Sequence, residues 1–268
     1  MSFKLITRLL PRLTAAALFL LPLVWMLFAA LHPPGVPLPQ RLQLLPQSPT
    51  LRNFVRVWDI APLFRYSLNS VLIVTLAVPL TILTSSWAGF AIAQLPRAGQ
   101  RRWVLLSLAI LMVPGIALWM PRFLVYEQLN WLDSPLALIA PAWMGTSPFY
   151  VLMYYRAFRR IPQAIYDAAR LDGAGILASW ARVTMPMAWP TTVGVALLSF
   201  LFYWGDFISP LLYLRSEDHY TLPVALQLLQ QLNRADWSLV MAAATIATLI
   251  PIAIFLLAQA YYSRVLNR

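Results

Sequence analysis

Six long apolar runs without a charged residue punctuate the chain, at 13–31, 66–96, 103–121, 134–155, 183–205 and 237–263. About 20 residues at 1.5 Å each carry an α-helix across a hydrocarbon layer of roughly 30 Å. Each run reaches that length or comes within a residue or two of it. Inside lipid the backbone must bond to itself, so the runs are predicted as helices rather than strands. The expected fold class is all-α, a polytopic integral membrane protein of about six transmembrane helices forming a single domain over 1–268. The second helix is expected to begin near Ser67-Leu-Asn-Ser70. Pro114-Gly115 is expected to kink the third helix near its middle, because proline removes a backbone hydrogen bond. Gly145-Thr-Ser-Pro148 interrupts the fourth run in a similar way.

The polar intervals fall into two sets. One comprises 32–65, 122–133 and 207–236. Its first member opens on a proline-rich strut, His32-Pro-Pro-Gly-Val-Pro-Leu-Pro, and continues into 50–58, whose mixed apolar and basic character suits the membrane surface. The second member has room for a short surface helix. The other set comprises the leading residues, 97–102, the long segment 157–190 and the end of the chain. With Arg156, which borders the long segment, thirteen of the 20 Lys and Arg fall on this second side and seven on the first. Basic residues collect on the cytoplasmic side of membrane proteins, which predicts both termini inside and 157–190 as a cytoplasmic loop.

Composition agrees with a lipid solvent. Of 268 residues 60% are apolar and 11% charged, against roughly 25% charged in a soluble domain. The net charge of +11 is scattered over short loops and forms no basic tract, so it reads as a topology signal and not as nucleic-acid binding. The first run, preceded by Lys4, Arg8 and Arg12, has an alternative reading as a secretory signal peptide. Its 19 uncharged residues exceed the usual signal core of about 7–15. The chain has no cysteine, which excludes disulfides, thiolate metal sites and cysteine nucleophiles.

The loop 157–190 carries the most information. Pro162 suits the first turn of a helix, and 163–171 contains good helix formers. Asp172-Gly173 should break the run, with Gly173 at positive φ and Asp172 capping a second helix over 174–184. Pro186 and Pro190 are expected to close that helix. Ala168, Ala169, Gly173, Ala174 and Gly175 line the bend and would let another backbone approach. Arg159, Arg160, Arg170 and Arg182 surround it. Two readings stand on these residues alone: a docking knob for a cytoplasmic partner, or an ordinary surface loop whose alanines merely favour helix.

Asp167-Ala168-Ala169, Asp172-Gly173-Ala174, Trp180 and Pro186 resemble, in order and spacing, the coupling loop of permease subunits in ATP-binding-cassette importers, where the pattern is Glu-Ala-Ala, two residues, Asp-Gly-Ala, a Phe and a Pro. Asp167 stands for the Glu and Trp180 for the Phe. Tyr66-Ser-Leu-Asn-Ser70, Trp204-Gly-Asp-Phe-Ile-Ser-Pro210, Tyr220-Thr-Leu-Pro223 and Met241-Ala-Ala are similar to segments of carbohydrate permeases of the maltose-transporter type, in particular to the second permease subunit. The end of the chain lacks the glycine-containing tail that many such subunits carry. The resemblance implies half of a translocation pathway and the type I importer fold. It implies a sister permease and two cytoplasmic ATPase subunits that hold the ATP and Mg. It also implies an extracytoplasmic solute-binding protein that meets 207–236. The eight motif residues would couple to the ATPase, and Asn69, Trp204 and Asp206 are candidate pathway residues. A non-sugar solute, such as a glycerol phosphate, a polyol or a peptide, is the alternative.

The only lysine is Lys4, so no Gly-x-x-x-x-Gly-Lys-Ser/Thr phosphate loop exists, and no Gly-x-Ser-x-Gly elbow is present. His32 and His219 lie on separate loops without metal-ligand spacing, so no metal site is expected. An enzyme is a poor reading. Asp206 is the one acid near the end of an apolar run. It either serves a proton-coupled carrier or caps a helix at the interface beside Trp204.

Overall fold

The computed structural model describes residues 3–35, 46, 48–143, 147–232 and 236–266. The second half of the proline-rich strut, from residue 36, Gly145-Thr146 and the last two residues lie outside them. Among the described residues every regular element is helical. The helices are α1 (Phe3–Ala30), α2 (Arg52–Ile60), α3 (Leu63–Gln94), α4 (Arg97–Leu111), α5 (Trp119–Gln128), α6 (Pro135–Trp143), α7 (Pro148–Phe158), α8 (Gln163–Leu171), α9 (Ile176–Met187), α10 (Trp189–Trp204), α11 (Ile208–Tyr213), α12 (Leu222–Leu232) and α13 (Trp237–Leu266). Four stretches are individually long and apolar enough to cross a membrane: Leu13–Ala30, Leu63–Gln94, Pro135–Phe158 and Trp237–Tyr261. The count rises to six if each of two bent pairs is one span.

The bent pairs are where sequence and structure part. The expected third helix is not a kinked rod. α4 ends at Leu111, a 3-10 turn covers Gly115–Leu118, and α5 departs at 88°. Pro114 is extended (φ −64°, ψ 130°), which ends the helical ladder instead of bending it. The fifth is bent by 83° between Met187 and Trp189. α9 ends at Met187, one residue beyond Pro186, in keeping with the closing role expected of that proline. The chain turns at Ala188, and the ring of Pro190 belongs in the first turn of the next helix. α3 starts at Leu63, four residues earlier than expected.

Two compact units result. The first holds residues 1–67 and 222–252. Asn53, fully buried, donates its side-chain amide to the carbonyls of Ala30 (2.9 Å) and His32 (2.7 Å), which satisfies the end of α1. Asp236 accepts the N–H of Leu239 at the start of α13 (3.2 Å) and pairs with Arg56 at 2.9 Å. Burial works to raise the Asp236 carboxyl. Arg56, Ser238 and the Gly35 and Leu239 N–H groups outweigh it and hold the carboxyl below its usual value.

The second unit holds 68–221 and 253–268 and has two aromatic cores. One packs Ile73, Tyr126, Ala137 and Tyr213, with Tyr126 and Tyr213 edge to face at 5.2 Å. The other packs Phe90, Tyr154, Phe158, Tyr166 and Val195. α3 and α7 touch at Gly89. A Cβ there would lie 2.7 Å from Tyr154 Cβ, 2.8 Å from the Tyr155 nitrogen and 2.9 Å from the Val151 oxygen. Only a residue without a side chain allows that approach, the usual device of membrane helix pairs.

Candidate functional site

The segment after α7 builds an elbow from local rules. α7 ends in the turn Arg159–Ile161, and Pro162 (ψ 140°) starts α8. α8 ends at Asp172 because Gly173 takes φ +81°, a left-handed conformation that L side chains rarely adopt. The N–H groups of Asp172, Gly173 and Ala174 bond back to the carbonyls of Ala168, Arg170 and Ala169 at 3.0, 3.0 and 2.9 Å. The chain then reverses into α9. Asp172 ends α8 but does not cap α9, whose first residue follows Gly175 with no side-chain cap. The expected second helix is only partly α: Ser179–Thr184 is π, a geometry that recurs at functional sites.

The elbow is anchored on its inner side. Tyr166 is buried against Phe90 and Phe158 and donates to the Phe158 carbonyl at 3.1 Å. Burial raises its hydroxyl above the usual value. Trp180 meets Trp87 edge to face at 5.5 Å. Arg159 donates to the Tyr155 hydroxyl (3.1 Å), and that hydroxyl donates to Gln100 (3.1 Å). Gln100 in turn donates to the carbonyls of Ala93 and Leu95, fastening the 95–97 turn to α7.

Of the five small residues expected to line the bend, Ala168, Gly173 and Gly175 are exposed, whereas Ala169 is buried and Ala174 half-buried and pack within the elbow. The outer surface is apolar: Leu171 is 90% exposed, Ile176 79% and Leu177 67%. Asp167, Ala168, Asp172, Gly173 and Pro186 are also exposed. Asp167 accepts from Gln163 (3.2 Å) and lies 3.6 Å from Arg170. A polar segment that turns three aliphatic side chains to solvent at its tip marks a contact surface. The sequence signal was present in Leu171 and Ile176-Leu177, which flank the Asp-Gly break.

The three candidate pathway residues separate. Trp204 is buried and stacks on Phe200 at 5.6 Å. Asn69 donates to the carbonyls of Asp218 and Tyr220, both at 2.9 Å, and so holds the 214–221 segment. Asp206 alone lines a cavity of about 500 Å³, with Thr81, Trp119, Arg122, Tyr150 and Tyr203. Its carboxylate accepts the Ser209 N–H (3.1 Å) and so caps α11, the following helix. Aromatic planes beside a few polar groups are the usual lining of a small-molecule site.

The 214–221 segment has a second tether. Asp133, itself left-handed (φ 57°), accepts from the Ser216 hydroxyl, from the N–H groups of Ser216 (2.9 Å) and Arg215 (3.0 Å), and meets His219 Nδ1 at 3.2 Å. Those hydrogen bonds, the Ser216 hydroxyl foremost, hold its carboxyl well below the usual carboxylate range against the opposing effect of burial. A depressed folded pKa means the tether is complete above the ordinary carboxylate pKa of about 4 and weakens only as pH falls toward the folded value. Amide hydrogen exchange should therefore show Arg215 and Ser216 equally protected at pH 5 and pH 7, after correction for intrinsic rates. Asp133→Ala should speed both amides by about ten-fold or more.

Helices long and apolar enough to cross a membrane, a polar elbow with an exposed aliphatic tip and a cavity lined by aromatic residues fit a membrane permease. The family of inner-membrane components of binding-protein-dependent transport systems matches residues 5–268. The chain belongs to that family and is a permease subunit of an ATP-binding-cassette importer. It is 30% identical over 237 residues to the sulfoquinovosyl glycerol transport system permease protein SmoH of Agrobacterium fabrum, covering 88% of this chain and 83% of that one. It is 31% identical over 245 residues to the arabinooligosaccharides transport system permease protein AraQ of Halalkalibacterium halodurans, covering 90% and 87%. A chain from the crystal structure of a bacterial transporter that imports the acidic polysaccharide alginate shares the fold, with a TM-score of 0.79 over 97% of this chain and 96% of that one at 19% identity.

Proposed function

We propose that the chain forms half of a carbohydrate translocation pathway and is driven through the 157–190 elbow by a separate ATPase. The observation that carries this is the exposed tip of Leu171, Ile176 and Leu177, held on a segment that is otherwise polar and braced from within by Tyr166 and Trp180. Apolar side chains in that setting gain by burial against a protein, about 1.5–3 kcal/mol for each one fully covered. In this reading the elbow end faces the cytoplasm, both termini lie inside, and two ATPase subunits hold the ATP and Mg. A sister permease completes the pathway. The 207–236 segment, tethered by Asn69 and Asp133, meets the solute-binding protein. The carbohydrate class rests on the substrates named for the relatives and on the aromatic cavity that Asp206 and Arg122 share.

The test is uptake into vesicles containing the assembled transporter, supplied with the binding protein and the ligand identified on it. Uptake should require ATP, and the ligand should be a sugar or sugar derivative. Uptake that survives ATP depletion and is abolished by Asp206→Asn would favour a proton-coupled carrier. A peptide or polyol on the binding protein would leave the coupling intact and replace the substrate class.

A further inference from the structure

A second concave site lies at the base of the elbow, and none of the tip residues Leu171, Ile176 and Leu177 lines it. It is a groove of about 480 Å³. One wall is the last turn of α7 and the turn beyond it, with Met153, Arg156, Arg160 and Ile161. The other is the chain around the 83° bend, with Met187 and Pro190. We propose that this groove binds an anionic phospholipid, the two guanidinium groups holding its phosphate and the apolar walls its glycerol backbone and upper acyl chains.

Three observations support this. First, the charges are uncompensated. Arg156, on the last turn of α7, and Arg160, in the turn beyond it, both line the one groove, and like charges held together repel. No Asp or Glu lines the groove. Among the described residues neither side chain has an ion pair or hydrogen-bond partner. Three arginines, in contrast, are engaged: Arg56 pairs with Asp236, Arg170 with Asp167, and Arg159 donates to Tyr155. An arriving anion would relieve the repulsion, and guanidinium groups suit phosphate because they bind it in a planar fork. Second, four of the six side chains named are apolar, and two are methionines that adapt to irregular chains. A free inorganic anion has no use for such walls, whereas an amphiphile does. Third, one wall is the last turn of the candidate span Pro135–Phe158 and the other is the start of Trp189–Trp204, the second half of the bent pair. In the proposed orientation the end of the first of these meets the lipid headgroups, where basic pockets between helices take anionic lipid.

The experiment uses the whole transporter purified in detergent. Native mass spectrometry counts retained phosphatidylglycerol and phosphatidylcholine added in equal amounts. Phosphatidylglycerol should be retained about thirty-fold or more in excess. Arg156→Gln/Arg160→Gln should lose about thirty-fold of that preference, the effect of two cations at a membrane surface. Arg101→Gln/Arg102→Gln, the same charge change elsewhere, should keep it. Free glycerol phosphate in excess should not displace the lipid. Should the double variant fail to assemble, a photoactivatable phosphatidylglycerol on the wild type maps the site, with adducts expected on 153–161 and 187–191. Equal retention of the two lipids, displacement by glycerol phosphate, or adducts confined to other segments would each overturn the proposal. So would finding the groove covered by the sister permease or the ATPase in the assembled complex.

Discussion

Leu171→Glu should leave synthesis, insertion and thermal stability of the chain at wild-type levels and lower ATP-driven uptake about thirty-fold or more. Leu171 is 90% exposed, so the fold of this chain does not use it. Burying one leucine against a partner is worth about 2 kcal/mol, a factor of about thirty in an equilibrium constant. A carboxylate at the same place adds the cost of an unpaired buried charge. Ile176→Glu should act alike, at 79% exposure. Gly173→Ala separates shape from contact. A Cβ there meets no atom within 4 Å, so the whole cost is the left-handed backbone, about 1–2 kcal/mol. That variant should fold and dock with a re-aimed tip, weakening ATP hydrolysis stimulated by the loaded binding protein more than it weakens assembly. Uptake at wild-type rate in Leu171→Glu would remove the tip from the mechanism.

The largest effect on folding is expected at Gly89. Two influences oppose each other there. Alanine in place of glycine inside a helix gains about 1 kcal/mol from propensity. The new Cβ, however, would lie 2.8 Å from the Tyr155 nitrogen and 2.9 Å from the Val151 oxygen. Those are backbone atoms of α7, which move only if the whole helix moves, and overpacking of this kind costs about 1–3 kcal/mol for alanine and more for valine. Sterics therefore win. Gly89→Val should lower the midpoint of thermal unfolding in detergent by about 5–10 °C or prevent accumulation of the protein. The shift should be smaller for Gly89→Ala. A neutral Gly89→Val would mean that α3 and α7 are further apart than described.

How much of this was legible in the sequence depends on the kind of interaction. Hydrophobic run length is a one-dimensional property, so the spans were readable, and so was α8, whose 163–171 limits follow from Pro162 and the Asp172-Gly173 break. The family motif placed the elbow. What escaped was three-dimensional. Pro114 is expected to kink a helix but ends one, and the proline spacing that closes the helix before Pro190 does not reveal the 83° turn that follows. The motif's spacing marks small residues at the bend but not which of them face inward: Ala169 packs into the elbow, Ala168 and Gly173 stay exposed, and Leu171, Ile176 and Leu177 stand out beside them. Asn69 and Asp133 are polar residues whose partners, Tyr220 and Ser216, are more than 80 positions away, and no local pattern marks such a tether. Gly89 looked like any glycine in an apolar run until its neighbour on α7 was known.

Cysteine trapping tests the central claim most directly, because the chain has no thiol of its own. Leu171→Cys, Ile176→Cys and Leu177→Cys would be placed singly in the assembled transporter, with a short bifunctional thiol reagent and a cysteine scan across the cleft of the ATPase subunit. The expected result is a permease–ATPase adduct from each, its yield changing when ATP binds. Buried Tyr166→Cys should give none. Efficient labelling of Leu171→Cys by an impermeant reagent from outside the cell, or an intact complex in which none of the three reaches the ATPase, would contradict the account.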